Sequence, residues 1–209
     1  PERSGKATSM SGVFQPIYGG QSTVYRTFDR HTNAWVSAGG FIIDTSFLAD
    51  VDPAYEISQA MRHDASLGDA PDGGIVKRGR SGLLIIRPLA AGQRYSFTGP
   101  VTAEEGVLGI DRQALWENRV VLCEGATLRL SNKDSVQIVD AFTAGTNSAG
   151  TGRVTLDLSF ETGTNKSQPL VVSNALSLVA DVEVSGHVDG GYTPTMPAAS
   201  AVTVLVCKA

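Results

Sequence analysis

Arg153-Val-Thr-Leu-Asp-Leu-Ser-Phe160 alternates polar and apolar residues without a fault. Val154, Leu156, Leu158 and Phe160 fall on one side, and Arg153, Thr155, Asp157 and Ser159 on the other. Successive side chains of a strand point to opposite faces, so this octapeptide reads as one strand with a buried face and a wet face. Leu176, Leu178, Ala180, Val182 and Val184 repeat the pattern against Ser177, Asp181, Glu183 and Ser185. Gly125-Ala-Thr-Leu-Arg-Leu130 gives a shorter version. Strands buried on one face belong to antiparallel sheets, and the expected architecture is an antiparallel β-sandwich.

Working outward from that strand, the region from Arg119 to the C-terminus reads as strand after strand. Candidates lie at 119–123, 125–130, 135–142, 152–161, 169–173, 176–187 and 200–208. The linkers Thr143–Gly150 and Gly163–Ser167 are rich in Gly, Asn, Thr and Ser and are long for hairpins, which suits Greek-key crossovers. Towards the N-terminus, strands are expected at Ser22–Phe28, Ala34–Val36, Phe41–Asp44 and Arg94–Thr98. Leu83-Leu-Ile-Ile86 is a continuous apolar run that fits a strand buried on both faces. Asp52-Pro53 looks like an N-cap followed by proline at the first helical position, and Ile57, Ala60 and Met61 have helical spacing. This predicts a short α-helix over 53–63, its last turn carrying Arg62 and His63. Ile110–Trp116 is expected to add one or two helical turns. Residues 1–20 are small and polar and read as an N-terminal arm, leaving 21–209 as a single domain with no evident internal repeat.

A chain of 209 residues with 42% hydrophobic residues is long enough to bury a full core. The formal charge is −4, and it is unevenly spread: the first 133 residues balance, and the excess of acid lies from Asp134 onward. Without a basic field, contact with nucleic acid is expected to be weak if it occurs at all. No run of apolar residues approaches the ~18 needed to cross a membrane as a helix. The N-terminus lacks the apolar core of a signal peptide, pointing to synthesis in the cytoplasm and a chain used whole. Cys123 and Cys207 each adjoin apolar runs; they read as small buried hydrophobes, with a disulfide left open.

No catalytic pattern stands out. His31, His63 and His187 are far apart and read as surface or cap residues, and Cys and His are not clustered as zinc requires. Gly79-Arg-Ser-Gly82 lacks the spacing of a nucleophile elbow. Asp64, Asp69 and Asp72 crowd one loop and are the only calcium candidates, though turn chemistry accounts for them more simply. Lys77-Arg-Gly-Arg80, with Arg87 and Arg94, is the only dense basic cluster. It is expected to be a solvated turn or a contact for an acidic face of another subunit. No cofactor and no enzymatic activity are expected.

The arm 1–20, the helix 53–63 and the closing strand Ala201-Val-Thr-Val-Leu-Val-Cys-Lys208 share a plan. This organisation resembles the single jelly-roll coat proteins of small icosahedral viruses. The resemblance implies a jelly-roll-like sandwich and a capsid-type structural protein, made in the host cytoplasm and assembling into a virion with copies of itself or other capsid subunits. The arm departs from that family in carrying only Arg3 and Lys6. A phage decoration or tail-associated protein fits the charge equally well. The alternative expectation is a β-sandwich binding module for carbohydrate or a receptor, with Trp35 or Tyr192 beside the Asp64–Asp72 loop as the contact.

Overall fold

The computed structural model describes residues 14–18, 34–46, 53–57, 60–87, 95–111, 115, 118–130, 137–146, 152–160, 170–188 and 205–208. In chain order the strands are β1 (Phe14–Tyr18), β2 (Ala34–Val36), β3 (Phe41–Asp44), β4 (Pro53–Ile57), β5 (Met61–His63) and β6 (Ile75–Arg78). Next come β7 (Leu83–Ile86), β8 (Val101–Ala103), β9 (Val107–Ile110), β10 (Arg119–Leu122) and β11 (Thr127–Leu130). The last are β12 (Gln137–Ala144), β13 (Arg153–Phe160), β14 (Leu170–Leu178), β15 (Asp181–Val188) and β16 (Leu205–Cys207).

From β6 onward the chain steps back and forth between two sheets. Sheet 1 has the order β1-β4-β7-β9-β11-β13-β15, and sheet 2 the order β16-β14-β12-β10-β8-β6-β3. A small third sheet, β2 with β5, is extended by a bridge from Arg62 to Ser96. Each circuit of the chain adds one parallel strand to each main sheet, so the molecule is a parallel β-solenoid. Among the described pairs only β1 with β4 is antiparallel. The antiparallel jelly-roll sandwich expected from the alternation is therefore overturned.

The reason lies in what alternation reports. It shows that one face is buried, and a solenoid also buries one face of each strand, inside the coil. Parallel sheets normally owe their double burial to crossover helices. Here the crossover from one strand to its parallel neighbour runs through the opposite sheet. Of the linkers expected to make Greek keys, Thr143–Gly150 begins inside β12 and Gly163–Ser167 lies outside the described residues. The strands before the first and after the second, β12 and β14, are parallel neighbours in sheet 2, while β13 between them belongs to sheet 1.

Inside, like residues stack from coil to coil. On sheet 1 one column runs Leu84, Leu108, Leu128, Leu156 and ends at Val184. Beside it Ile57, Ile86, Ile110, Leu130 and Leu158 form a second. Sheet 2 contributes Phe41, Ile75, Val101, Val120, Phe142 and Leu176 in one column. These columns are the core, and their middle members are fully buried. Burying each Leu or Ile is worth roughly 1.5–3 kcal/mol relative to leaving it in water.

The helix expected over 53–63 is also overturned: β4 and β5 occupy its ends. Ile57 and Met61 are both buried, but as members of two strands on either side of a corner. A corner that turns both inward reproduces the four-residue spacing of a helix face. Pro53 opens β4, a strand position where a missing N–H is tolerated.

Arg94–Thr98 supplies only the single bridge at Ser96. The helical turns expected at Ile110–Trp116 do not form among the described residues: Ile110 ends β9, and Asp111 and Leu115 are not helical. Residues 14–18 of the expected arm form β1. Ser22–Phe28, Gly163–Ser167, Trp116 and Tyr192 lie outside the described residues.

Candidate functional site

The run Lys77-Arg-Gly-Arg80 does not form one basic patch. Strand alternation on β6 sends Arg78 outward and Lys77 into the interior. Arg78 Nε donates to Glu104 Oε2 at 2.6 Å, with Nη2 at 3.3 Å from the other oxygen. Arg80 lies 3.9 Å from Glu105, and Arg87 Nε donates to Asp111 at 2.5 Å. Each of these exposed or part-buried arginines thus meets an acid of its own chain, and Arg94 lies outside the described residues.

Lys77 is fully buried, stacked between Ile43 and Ala103 in the second inner column of sheet 2. The small Ala103 beside it leaves room for its stem. Its Nζ donates to the Gly79 carbonyl. Burial pushes its pKa down to about 8, against the opposing pull of Glu105 and Asp44. Gly106 has φ +70°, and a Cβ there would collide with Lys77 Nζ and lie 2.6 Å from the Gly79 oxygen. The turn before β9 is glycine because the ammonium and two carbonyls occupy that space.

The three aspartates of the 64–72 loop do not converge. Asp64 caps a 3-10 turn at Ala65–Leu67, accepting from the Ser66 N–H at 3.0 Å. Asp72 is buried and saturated. Its Oδ1 accepts from the N–H groups of Gly74 (3.0 Å) and Gly99 (2.8 Å). Its Oδ2 accepts from the Thr98 N–H (2.7 Å), the Thr98 hydroxyl (3.1 Å) and His63 Nδ1 (2.9 Å). Burial opposes ionisation of this carboxyl, yet these donors hold it below the ordinary carboxylate range. A carboxylate with this many donors is not offered to a cation, and no described group of three acids, histidines or cysteines is placed to hold a metal. Sequence spacing put Asp72 in a calcium trio; the signal that it serves a backbone corner, the flanking Gly73 and Gly74, was present but not specific.

Outward from this corner, Trp35 of β2 stands in register with Arg62 of β5, which bridges Ser96. Trp35 is 61% exposed, the largest apolar surface on the described outer faces. Asp64 N–H donates to Val36 O and Gly73 N–H to Ser37 O, so both ends of the 64–73 loop are tied to the chain beside Trp35. The structure thus brings together Trp35 and the aspartate loop, which sequence reading paired only by residue type.

At the other end of the solenoid the interior comes to the surface. Val184 ends the leucine column of sheet 1 and Leu178 ends the Lys77 column of sheet 2. They are 49% and 54% exposed, where the residues before them in each column are buried. Strand β15 has no partner beyond it, and β16 covers only Leu170–Val172 of β14, among the described residues. Cys123 is part-buried and Cys207 exposed on β16; both are free thiols, which closes the disulfide option, and burial pushes the Cys123 thiol up. No sequence signal marked this end, because Leu178 and Val184 have the same alternation as residues buried one coil earlier.

Comparison with models of protein families, with characterised proteins and with solved structures finds no match.

Proposed function

We propose that this chain is a non-catalytic structural subunit of a virion-type assembly, and that it associates with copies of itself through the open end of its solenoid. The observation that supports this is the emergence of the inner columns at Leu178 and Val184 beside strand edges that have no neighbour among the described residues. An exposed edge is a template for pairing with another chain. Stacking a further rung there satisfies the backbone groups of β15 and covers both side chains. A rigid rod of stacked coils suits a spike or fibre component better than a tile of a shell, so the jelly-roll coat protein is no longer the setting favoured. Light scattering on eluting chromatography fractions tests the reading. The chain is expected to run as an oligomer, and the double variant Leu178→Glu, Val184→Glu as a monomer with unchanged circular dichroism. A wild-type monomer at high concentration refutes it.

A second reading is favoured by one specific observation, the exposed Trp35 in a row with Arg62 and Ser96. An indole face on a rigid strand, flanked by a guanidinium and a hydroxyl, is suited to stacking against a sugar ring while hydrogen-bonding its edge. Saturation-transfer NMR with a glycan panel, compared between wild type and Trp35→Ala, separates the two readings.

A further inference from the structure

The His63 ring makes two contacts that a neutral imidazole cannot make together. Nδ1 faces Asp72 Oδ2 at 2.9 Å and Nε2 faces the carbonyl oxygen of Gly68 at 3.2 Å. Both partners are acceptors: Asp72 is ionised, and a carbonyl has no proton to give. Thr98 Oγ1 lies 3.4 Å from Nδ1, but its own proton is committed to Asp72 and it accepts from the Asp72 N–H. Satisfying both contacts therefore requires a proton on each nitrogen, the imidazolium form.

What the ring holds is a segment whose own hydrogen bonds are local: Ser66 N–H to Asp64 Oδ1, Leu67 N–H to Asp64 O, Gly68 N–H to Ala65 O and Ala70 N–H to Leu67 O. The Ala65–Leu67 turn buries no residue, and residues 68–71 are exposed. Gly68 caps that turn with φ +60°. The segment's ends are fixed by Asp64 N–H to Val36 O and by the buried Asp72, so only the part between them is free to move.

We propose that residues 65–71 form a pH-operated flap, latched to the solenoid by the doubly protonated His63 ring and released when that ring becomes neutral. On deprotonation Nδ1 keeps its proton, because a carboxylate is the stronger acceptor, and the link from Nε2 to Gly68 is lost. The acidic groups beside the ring favour the latched form. Asp72 and Asp64 face the ring and Asp69 lies on the flap. Arg62 stands on the outer row of β5, while β2 and residues 95–99 bring no charged group. The hydrogen bond to Asp72, against the opposing effect of burial, raises the His63 pKa above its ordinary value of 6.5, so the latch is closed at pH 6 and opens as the pH rises through that raised value. This device does not depend on association through the far end of the solenoid.

Ring 15N shifts of the full chain, followed from pH 5.5 to 9, test it together with hydrogen exchange corrected for intrinsic rates. Both ring nitrogens are expected to be protonated at pH 6, with Nε2 losing its proton at a midpoint above 6.5. Protection of the 65–70 amides should fall roughly five- to tenfold across that midpoint, the effect of one hydrogen bond. The amides of β9 and β11 should not change. His63→Gln should give the high-pH protection at every pH, and Asp72→Asn should move the ring midpoint down. A ring already neutral at pH 6, a proton lost first from Nδ1, or protection indifferent to the titration would each overturn the latch. If the variants do not fold, the wild-type titration alone decides.

Discussion

Replacing Lys77 by Met probes an interior that is otherwise apolar. The ammonium is fully buried and its pKa is pushed from 10.5 down to about 8. A difference of this size corresponds to a cost on the order of 3 kcal/mol to the folded state while the group is charged in both states. Met keeps the stem and its packing but not the charge. Removing the amine also removes a donor from the Gly79 carbonyl, which costs about 1–3 kcal/mol if nothing replaces it. Thr45 Oγ1 stands 3.4 Å from that oxygen and softens the loss. The variant is therefore expected to be more stable than wild type at pH 7, by about 1–2 kcal/mol.

The sign with pH follows from proton counting. Between pH 8 and 10.5 the unfolded chain keeps a proton on Lys77 that the folded chain has shed, so wild-type stability rises with pH in that window. The Met variant lacks this rise, and its advantage should shrink and then reverse. Urea denaturation of both proteins at half-unit steps from pH 7 to 10.5 gives the difference directly, and cysteine and tyrosine titration cancels in it. A difference that stays constant over this range would refute the argument that Lys77 is charged and strained inside the coil.

Three further outcomes are expected. Leu128→Ala, in the centre of the leucine column, should lose about 2–5 kcal/mol in chemical denaturation, while Thr127→Ala next to it on the outer face should stay within roughly 0.5 kcal/mol. Gly106→Ala forces a positive φ on a residue with a Cβ and pushes that atom into Lys77 and the Gly79 carbonyl; a loss of at least about 1–3 kcal/mol in the same assay is expected, and combining it with Lys77→Ala should recover part of it. Arg129 Nε donates to the nearly buried Asp157 at 2.7 Å across neighbouring coils, and Ser185 donates to the same carboxylate at 3.1 Å. Arg129→Met should destabilise by about 1–2 kcal/mol in the same assay, discounted for the exposure of the guanidinium.

Strand positions were legible in part and their partners were not: β4 and β5 read as a helix, β6, β8 and β9 were not marked, and the stretch 176–187 divides between the end of β14 and β15. Ala34–Val36, Phe41–Asp44 and Leu83–Ile86 were bounded correctly from composition, and Arg153–Phe160 from alternation. Alternation is a property of one strand, whereas parallel or antiparallel pairing is a relation between two. The missing clue was a loose repeat. Leu84-Ile-Ile86, Leu108-Gly-Ile110, Leu128-Arg-Leu130 and Leu156-Asp-Leu158 each place two inner residues around one outer residue, with Gly82, Gly106, Gly125 and Gly152 shortly before. Their intervals of 24, 20 and 28 residues are too irregular to register as a period. Corners absorb the variation, since a turn between stacked strands can lengthen without disturbing either neighbour.

At the candidate site, residue types were right and roles were not. Asp72 was singled out with two other acids, yet its partners His63, Thr98 and Gly99 come from the strand before the loop and the segment after it. Lys77 was grouped with Arg78 by proximity, and the two-residue period of β6 separates them.

The coil-to-coil register carries a consequence for how such a chain can change length. Val107 and Thr127 occupy equivalent places in successive coils, twenty residues apart. Excising residues 107–126 would deliver Thr127 to the seat of Val107 and Leu128 to that of Leu108, with the interior column intact but one storey shorter. Duplicating the same segment would add a storey. Whole-coil gain and loss is thus a change of scale that preserves every inward-facing position, whereas insertion of one residue within a strand turns that strand inside out.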